Sequence, residues 1–267
     1  MLLRRCLMNG QIIRTFFDTR YPLDFAYAWD NVGLQIGTLD KTLTGILITL
    51  DVTQDVAKEA LQKGANLIIS HHPLIFKPLA NIVTDSYKGQ LIEQLLKSGI
   101  TVYVSHTNYD LGHTGMNQVL ADRLALTEQA VLDPIDDTHG LGRIGRLREP
   151  LGLNAAIAYI KQALSLRHAR FIGVMDDDTR IQTLAISGGS GASQMHHVKA
   201  SGADLYLTGD VSYHQAHDMR QLGLRTLDIG HYAEHLFAPA LKKELEDYGV
   251  NVPIYASNIN LDPFTFV

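Results

Sequence analysis

Unbroken apolar runs of about five residues alternate along this chain with stretches whose apolar residues recur every three or four positions. The first pattern predicts strands buried on both faces, the second amphipathic helices. Ile46-Leu47-Ile48-Thr49-Leu50 predicts a strand within 45–52. A helix follows from Thr53, an N-cap residue; Val56, Ala57, Ala60 and Leu61 share one face and Gly64 suits the C′ position. A strand is expected over 66–70 and a helix near 86–98, with Leu91, Ile92, Leu95 and Leu96 as its stripe and Gly99 ending it. A strand over 101–105 closes a β-α-β-α-β unit, which right-handed crossovers turn into a parallel sheet.

The second half repeats the pattern, with strands predicted over 181–187, 204–208 and 225–229 and helices over 193–201 and 212–222. Lys63-Gly64-Ala65-Asn66-Leu67-Ile68-Ile69-Ser70 aligns with Ser201-Gly202-Ala203-Asp204-Leu205-Tyr206-Leu207-Thr208, and Ser105-His106 corresponds to Gly230-His231. A recurring Gly-Ala-Asx step and terminal histidine favour a duplicated unit. Between the halves lie a turn at Asp133-Pro134-Ile135-Asp136-Asp137, a helix near 153–166 and the acidic run Asp176-Asp177-Asp178, read as a solvated turn. The expected organisation is two α/β domains, 1–132 and 133–267, with the last strand a candidate to pack on the first domain.

Composition narrows the class. With 46% hydrophobic and 19% charged residues, the 267-residue chain reads as a globular protein, and its net charge of −5 predicts neither nucleic-acid nor membrane binding. No apolar run reaches the length of a membrane span. Cys6 is the single cysteine, so thiolate metal sites are not expected, and a cytoplasmic setting is. Met8 stands just before the first periodic helix and is read as the translation start, with the first seven residues a dispensable extension.

The chemistry gathers at strand ends. His71 and His72 follow the 66–70 strand, His106 follows 101–105 with Asp110 close behind, and His231 follows 225–229 with Glu234 and His235 after it. The C-terminal edge of an α/β sheet is where ligands bind, and mixed histidine and carboxylate donors suit iron, zinc or manganese. Tandem histidines in a regular strand would point to opposite faces, so both can serve one site only if the strand has ended, as Pro73 favours. His71, His72, His106, Asp110, His231 and Glu234 exceed the needs of one tetrahedral ion. They suit two divalent ions in a cleft between the halves, which would hold a water ionised near neutral pH for hydrolysis.

The turn Ser187-Gly188-Gly189-Ser190-Gly191-Ala192 joins a strand to a helix; it reads first as a tight turn, and its backbone could also cradle a phosphate. His113, near Asp110, is a candidate acid or base. His196, His197, His214 and His217 read as surface or supporting residues, and His139 and His168 as structural. Trp29-Asp30-Asn31 reads as a turn near the cleft.

Six motifs occur in order: Trp29-Asp30-Asn31-Val32-Gly33-Leu34-Gln35-Ile36-Gly37, Ile69-Ser70-His71-His72-Pro73-Leu74-Ile75-Phe76, Ser105-His106-Thr107-Asn108-Tyr109-Asp110, Gly140-Leu141-Gly142-Arg143-Ile144-Gly145, the glycine turn, and Gly230-His231-Tyr232-Ala233-Glu234. Together they resemble the Nif-three-like family, whose members are often labelled GTP cyclohydrolase 1 type 2 homologues. The resemblance runs from about residue 8 to the C-terminus and implies two similar α/β domains with mostly parallel sheets facing a shared dinuclear metal cleft. It also implies a ring-shaped homohexamer, and a short form lacking the domain that longer members insert between the halves. By motif position His71, His72, His106, Asp110, His231 and Glu234 would be the ligands, with the adjacent His235 leaving the second-half pair less defined. The label implies opening of the guanine imidazole ring with release of formate, the glycine turn holding the triphosphate. The expectation is thus a metal-dependent hydrolase of a nucleotide or related phosphorylated compound. The alternative is a non-enzymatic metal store, carrier or ring scaffold.

Overall fold

The structure, a computed structural model, describes residues 8–176 and 178–267. The extension before Met8, Cys6 within it, and Asp177 of the acidic run lie outside these residues. The strands are β1 (Gly33–Ile36), β2 (Ile46–Thr49), β3 (Leu67–Ser70), β4 (Thr101–Val104), β5 (Thr127–Pro134), β6 (Gly140–Gly152), β7 (Arg170–Ile172), β8 (Arg180–Ile186), β9 (Leu205–Thr208), β10 (Thr226–Asp228) and β11 (Ile254–Ala256). They form two mixed sheets, each in its own compact unit. One unit combines residues up to Tyr109 with Phe237–Leu261; the other combines Asp110–Leu236 with Asp262–Val267.

In the first unit the order is β1-β4-β3-β2-β11, with β4, β3, β2 and β11 parallel and β1 antiparallel at the edge. Helices α1 (Gln11–Arg20), α2 (Gln54–Gln62), α3 (Tyr87–Lys97) and α9 (Phe237–Asp247) accompany it. Leu47, Ile68 and Val102 share a core with Val56, Ala57 and Ala60 of α2 and with Leu91, Ile92 and Leu95 of α3. On the opposite face Phe17 of α1 stacks on Tyr103 at 4.7 Å, and α9 lies against β2 and β11. Covered on both faces, β2, β3 and β4 are buried throughout, which is why they read as continuous apolar runs.

The helix ends follow their local chemistry. Thr53 and Ser86 accept the amides of Val56 and Gly89 as N-caps, and Gly64 and Gly99 take the left-handed conformation after α2 and α3. Leu61 and Leu96 are exposed, whereas Glu59 is buried, accepting from Ser257 Oγ at 2.5 Å and Asn258 N at 3.0 Å.

In the second unit the order is β5-β6-β8-β9-β10-β7. Here β8, β9 and β10 are parallel, while β7 is antiparallel beside β10, as β1 is beside β4. The strip β7-β10-β9-β8 thus has the topology of β1-β4-β3-β2. Helices α5 (Met116–Arg123), α6 (Leu153–Ala163), α7 (Met195–Ser201) and α8 (Tyr213–Gln221) complete the unit. Val198 of α7 and Met219 of α8 pack with Ala185 and Tyr206 of the sheet, and Ser212 and Gln215 close a capping box before α8. The turn-rich stretch after Asp133 is instead the hinge of the long β5/β6 pair, antiparallel from Thr127 to Arg146.

Candidate metal centre

Strands β3 and β4 are parallel neighbours, so their C-terminal ends lie side by side and both lead into histidine. A nitrogen from each of His71, His72 and His106 lies within 4.8 Å of those of the other two. β3 ends at Ser70, which releases the tandem pair from alternation; their ring centroids stand 5.2 Å apart, and 5.2 and 5.7 Å from that of His106.

What holds the rings matters as much as their convergence. His71 Nδ1 is 2.9 Å from the Ser105 carbonyl, His72 Nδ1 is 2.9 Å from Asp51 Oδ1, and His106 Nδ1 is 2.9 Å from both oxygens of Asp30. Carbonyls and ionised carboxylates only accept, so each Nδ1 carries a proton; in the neutral form of such a ring the lone pair is on Nε2. Asp30 also accepts from the Thr107 amide (3.1 Å) and hydroxyl (2.6 Å). Burial pushes the Asp30 carboxyl up, but the hydrogen bonds from His106 and Thr107 outweigh it and hold the group below its usual range. Asn108, buried at the start of the helix α4 (Thr107–Asp110), accepts the His106 amide at 2.9 Å and donates to the Tyr21 carbonyl at 2.7 Å, fixing the turn.

The second unit repeats the device. β9 leads to Asp210 and the parallel β10 to His231. His231 Nδ1 donates to Asp210 Oδ2 at 2.7 Å, and its Nε2 stands 3.2 Å from Glu234 Oε2. At that distance either a proton on Nε2 or a metal ion held by both groups joins the imidazole to the carboxylate. Glu234 is only 3% exposed and shares the 3-10 turn His231–Leu236 with its partner. His235 also directs Nδ1 to a carbonyl, that of Tyr232 at 2.8 Å, but joins none of the donor clusters among the described residues. The donor set therefore fits a metal: three imidazoles in one unit, and an imidazole with a buried carboxylate in the other.

The glycine turn has a use its composition does not reveal. A Cβ on Gly189 would meet Glu234 Oε1 at 2.7 Å, and one on Gly188 would meet it at 3.3 Å. Gly189 also has a φ of +58°. Gly188 N–H donates to Asn117 Oδ1 at 2.8 Å and Gly191 N–H to Thr208 Oγ1 at 2.9 Å, while Ser190 is exposed. Asp110 opens the second unit, and its carbonyl accepts from Asn117 Nδ2 at 3.3 Å. The loop after it is held by buried Arg143, which donates to the carbonyls of Gly112 and His113 at 3.1 and 2.9 Å. His113 itself is exposed and joins none of the donor clusters among the described residues.

Sequence reasoning missed Asp30, Asp51 and Asp210. Their signal was weak: Asp51 lies inside the stretch read as a strand, Asp210 two residues after one, and Asp30 in a motif read as a turn.

Residues 8–263 match the family described as Duf34/NIF3 (NGG1p interacting factor 3), and the chain belongs to it. A Streptococcus pneumoniae serotype 4 protein named GTP cyclohydrolase 1 type 2 homolog is 37% identical over 264 residues, covering 97% of this chain and 99% of its own. A Bacillus subtilis protein of the same name is 30% identical over an alignment of 373 positions, covering 97% of this chain and 99% of its own, so it carries inserted residues that this chain lacks. Among solved structures, the Bacillus cereus protein related to NIF3 has a TM-score of 0.93 at 31% identity, covering 98% of this chain and 100% of its own. No helix among the described residues is long and apolar enough to cross a membrane.

Proposed function

We propose that this protein is a metal-dependent hydrolase of a nucleotide or related phosphorylated compound. His71, His72, His106, Asp110, His231 and Glu234 together hold two divalent ions drawn from iron, zinc and manganese. The observation that carries the reading is the set of Nδ1 locks: His71, His72, His106 and His231 each commit Nδ1 to an acceptor, the arrangement in which Nε2 serves as the ligand nitrogen. Held by these residues, divalent cations would supply Lewis-acid chemistry and lower the pKa of water at the site.

The protein's own residues do the rest. Asp30, Asp51, Asp210 and the Ser105 carbonyl fix ring orientation, and the small turn at Gly188 and Gly189 lets Glu234 approach. With the amides of Gly188 and Gly191 committed, contact with a phosphate falls to Gly189 and Ser190 in the Gly188–Gly191 turn. His113, exposed on the loop that Arg143 pins, is the candidate to exchange protons with solvent. The relatives' name supports a purine nucleoside triphosphate as the first substrate to try. The assembly is proposed to be a homohexameric ring, which light scattering of the native protein would distinguish from a monomer.

The deciding experiment measures formate released from GTP by metal-replete protein beside the Asp110→Ala variant. Turnover in the wild type that disappears in the variant is expected. No formate from folded protein carrying two metal ions would remove the ring-opening reading and favour a metal carrier or scaffold.

A further inference from the structure

The first motif in chain order, Trp29 to Gln35, is accounted for almost entirely by hydrogen bonds to segments distant along the chain. Asp30 locks His106 and Thr107. Asn31 Nδ2 donates to the Ile75 carbonyl at 2.5 Å, and Gln35 both accepts the Ile75 amide at 2.7 Å and donates to the Asn31 carbonyl at 2.8 Å. These bonds stitch the 29–35 segment to the loop after His71-His72. Trp29 takes no part in them and is 60% exposed. Its indole stacks on Tyr27 at 5.6 Å and 19°, with Phe76, 46% exposed, edge-on at 5.9 Å. The Tyr27 amide is anchored in turn on Thr107 Oγ1 at 3.1 Å. A large aromatic surface thus stands on a hydrogen-bonded segment and faces solvent, with the ring of His106 6.3 Å from that of Trp29.

We propose that Trp29, backed by Tyr27 and bordered by Phe76, is a stacking platform for a planar heteroaromatic ring of purine size on the substrate of the metal centre. Two neighbouring side chains in a near-parallel stack form a flat face whose π-surface suits a flat ring, at little entropic cost because the loop is already bonded in place. Asp30 links the platform to the centre along the chain: the residue next to Trp29 orients His106. The inference rests on the metal-centre reading for the location of substrate, and it requires binding but not hydrolysis.

Trp29 is the chain's single tryptophan, so intrinsic tryptophan fluorescence reports on this position alone. Metal-replete protein would be titrated with GTP, guanosine and tripolyphosphate, with equilibrium dialysis of GTP in parallel. GTP and guanosine should quench saturably, and tripolyphosphate should not. Trp29→Ala should bind GTP about 5- to 150-fold more weakly at unchanged metal content, and Trp29→Phe should recover most of the loss. Quenching by neither GTP nor guanosine overturns the proposal, as does GTP bound by dialysis with Trp29 emission unchanged. Trp29→Ala that leaves GTP affinity intact but dissociates a larger assembly also overturns it, marking the patch as an interface between copies. Quenching without formate release would keep the platform and remove the ring-opening reading, whereas formate release without quenching would do the reverse.

Discussion

Asp51, Asp30 and Asp210 each accept the Nδ1 proton of a histidine that could hold a metal through Nε2. Such a partner fixes the tautomer and raises the ligand's basicity, and losing it costs about 10- to 100-fold in metal affinity. Asp51 is half-exposed, so its side chain can be removed with little disturbance to packing. Asp51→Ala should therefore fold normally and bind zinc about 10- to 100-fold more weakly by calorimetric titration; equal affinity would show that His72 needs no partner. Gly189 gives a sharper contrast. Gly189→Ala places a Cβ 2.7 Å from Glu234 Oε1 at a φ of +58°, whereas Gly202→Ala meets nothing within 4 Å at a similar φ of +70°. Both should lose about 1–2 kcal/mol of stability to the left-handed backbone, but only Gly189→Ala should also lose metal. Equal metal content in the two variants would separate the glycine turn from Glu234.

At the scale of elements, the parallel strands deliver chemistry because they end together: β3 with β4, and β9 with β10. Their alternation with helices was legible because strands covered on both faces must be apolar throughout. The β5/β6 pair was not legible. β6 interleaves Gly140, Gly142 and Gly145 with Arg143, Arg146 and Arg148, leaving no two-residue period. One of those arginines shows why. Arg143 is only 2% exposed and spends its donors on Gln118 Oε1 and on the carbonyls of Gly112, His113, Gly140 and Gly142. A buried cation is thus the clamp of the loop after Asp110. Arg143→Met should cost about 2–4 kcal/mol by leaving buried carbonyls unpaired. Urea unfolding measures it, and a cost below about 1 kcal/mol would mean that water replaces the guanidinium without penalty.

The whole molecule adds what neither residue nor element carries. The C-terminal segment returns to the first unit: β11 pairs with β2, and α9 brings Glu244 between two tyrosines, accepting from Tyr21 at 2.6 Å and Tyr109 at 2.9 Å. Burial raises the Glu244 carboxyl above its ordinary range, against the opposing hydrogen bonds of Tyr21 and Tyr109. A carboxyl that titrates higher in the folded chain than in the unfolded one contributes stability below its unfolded pKa, and this is lost as pH rises through the folded value. The stability of Glu244→Gln relative to wild type should therefore improve as pH rises from about 4 towards neutrality. Denaturant unfolding at several pH values tests this, and the opposite trend would show that the tyrosines stabilise the charged form more than burial disfavours it.

Periodicity and the positions of His71, His72, His106 and His231 after apolar runs were sufficient to determine two α/β units with imidazoles at strand ends, because burial on both faces writes itself into consecutive residues. Which carboxylate reaches which imidazole was decided only by the tertiary structure. Asp51 and His72 are 21 residues apart, as are Asp210 and His231, and Asp30 and His106 are 76 apart. A hydrogen bond across such separations obeys the geometry of sheet order and loop return rather than any local period, so it leaves no pattern along the chain.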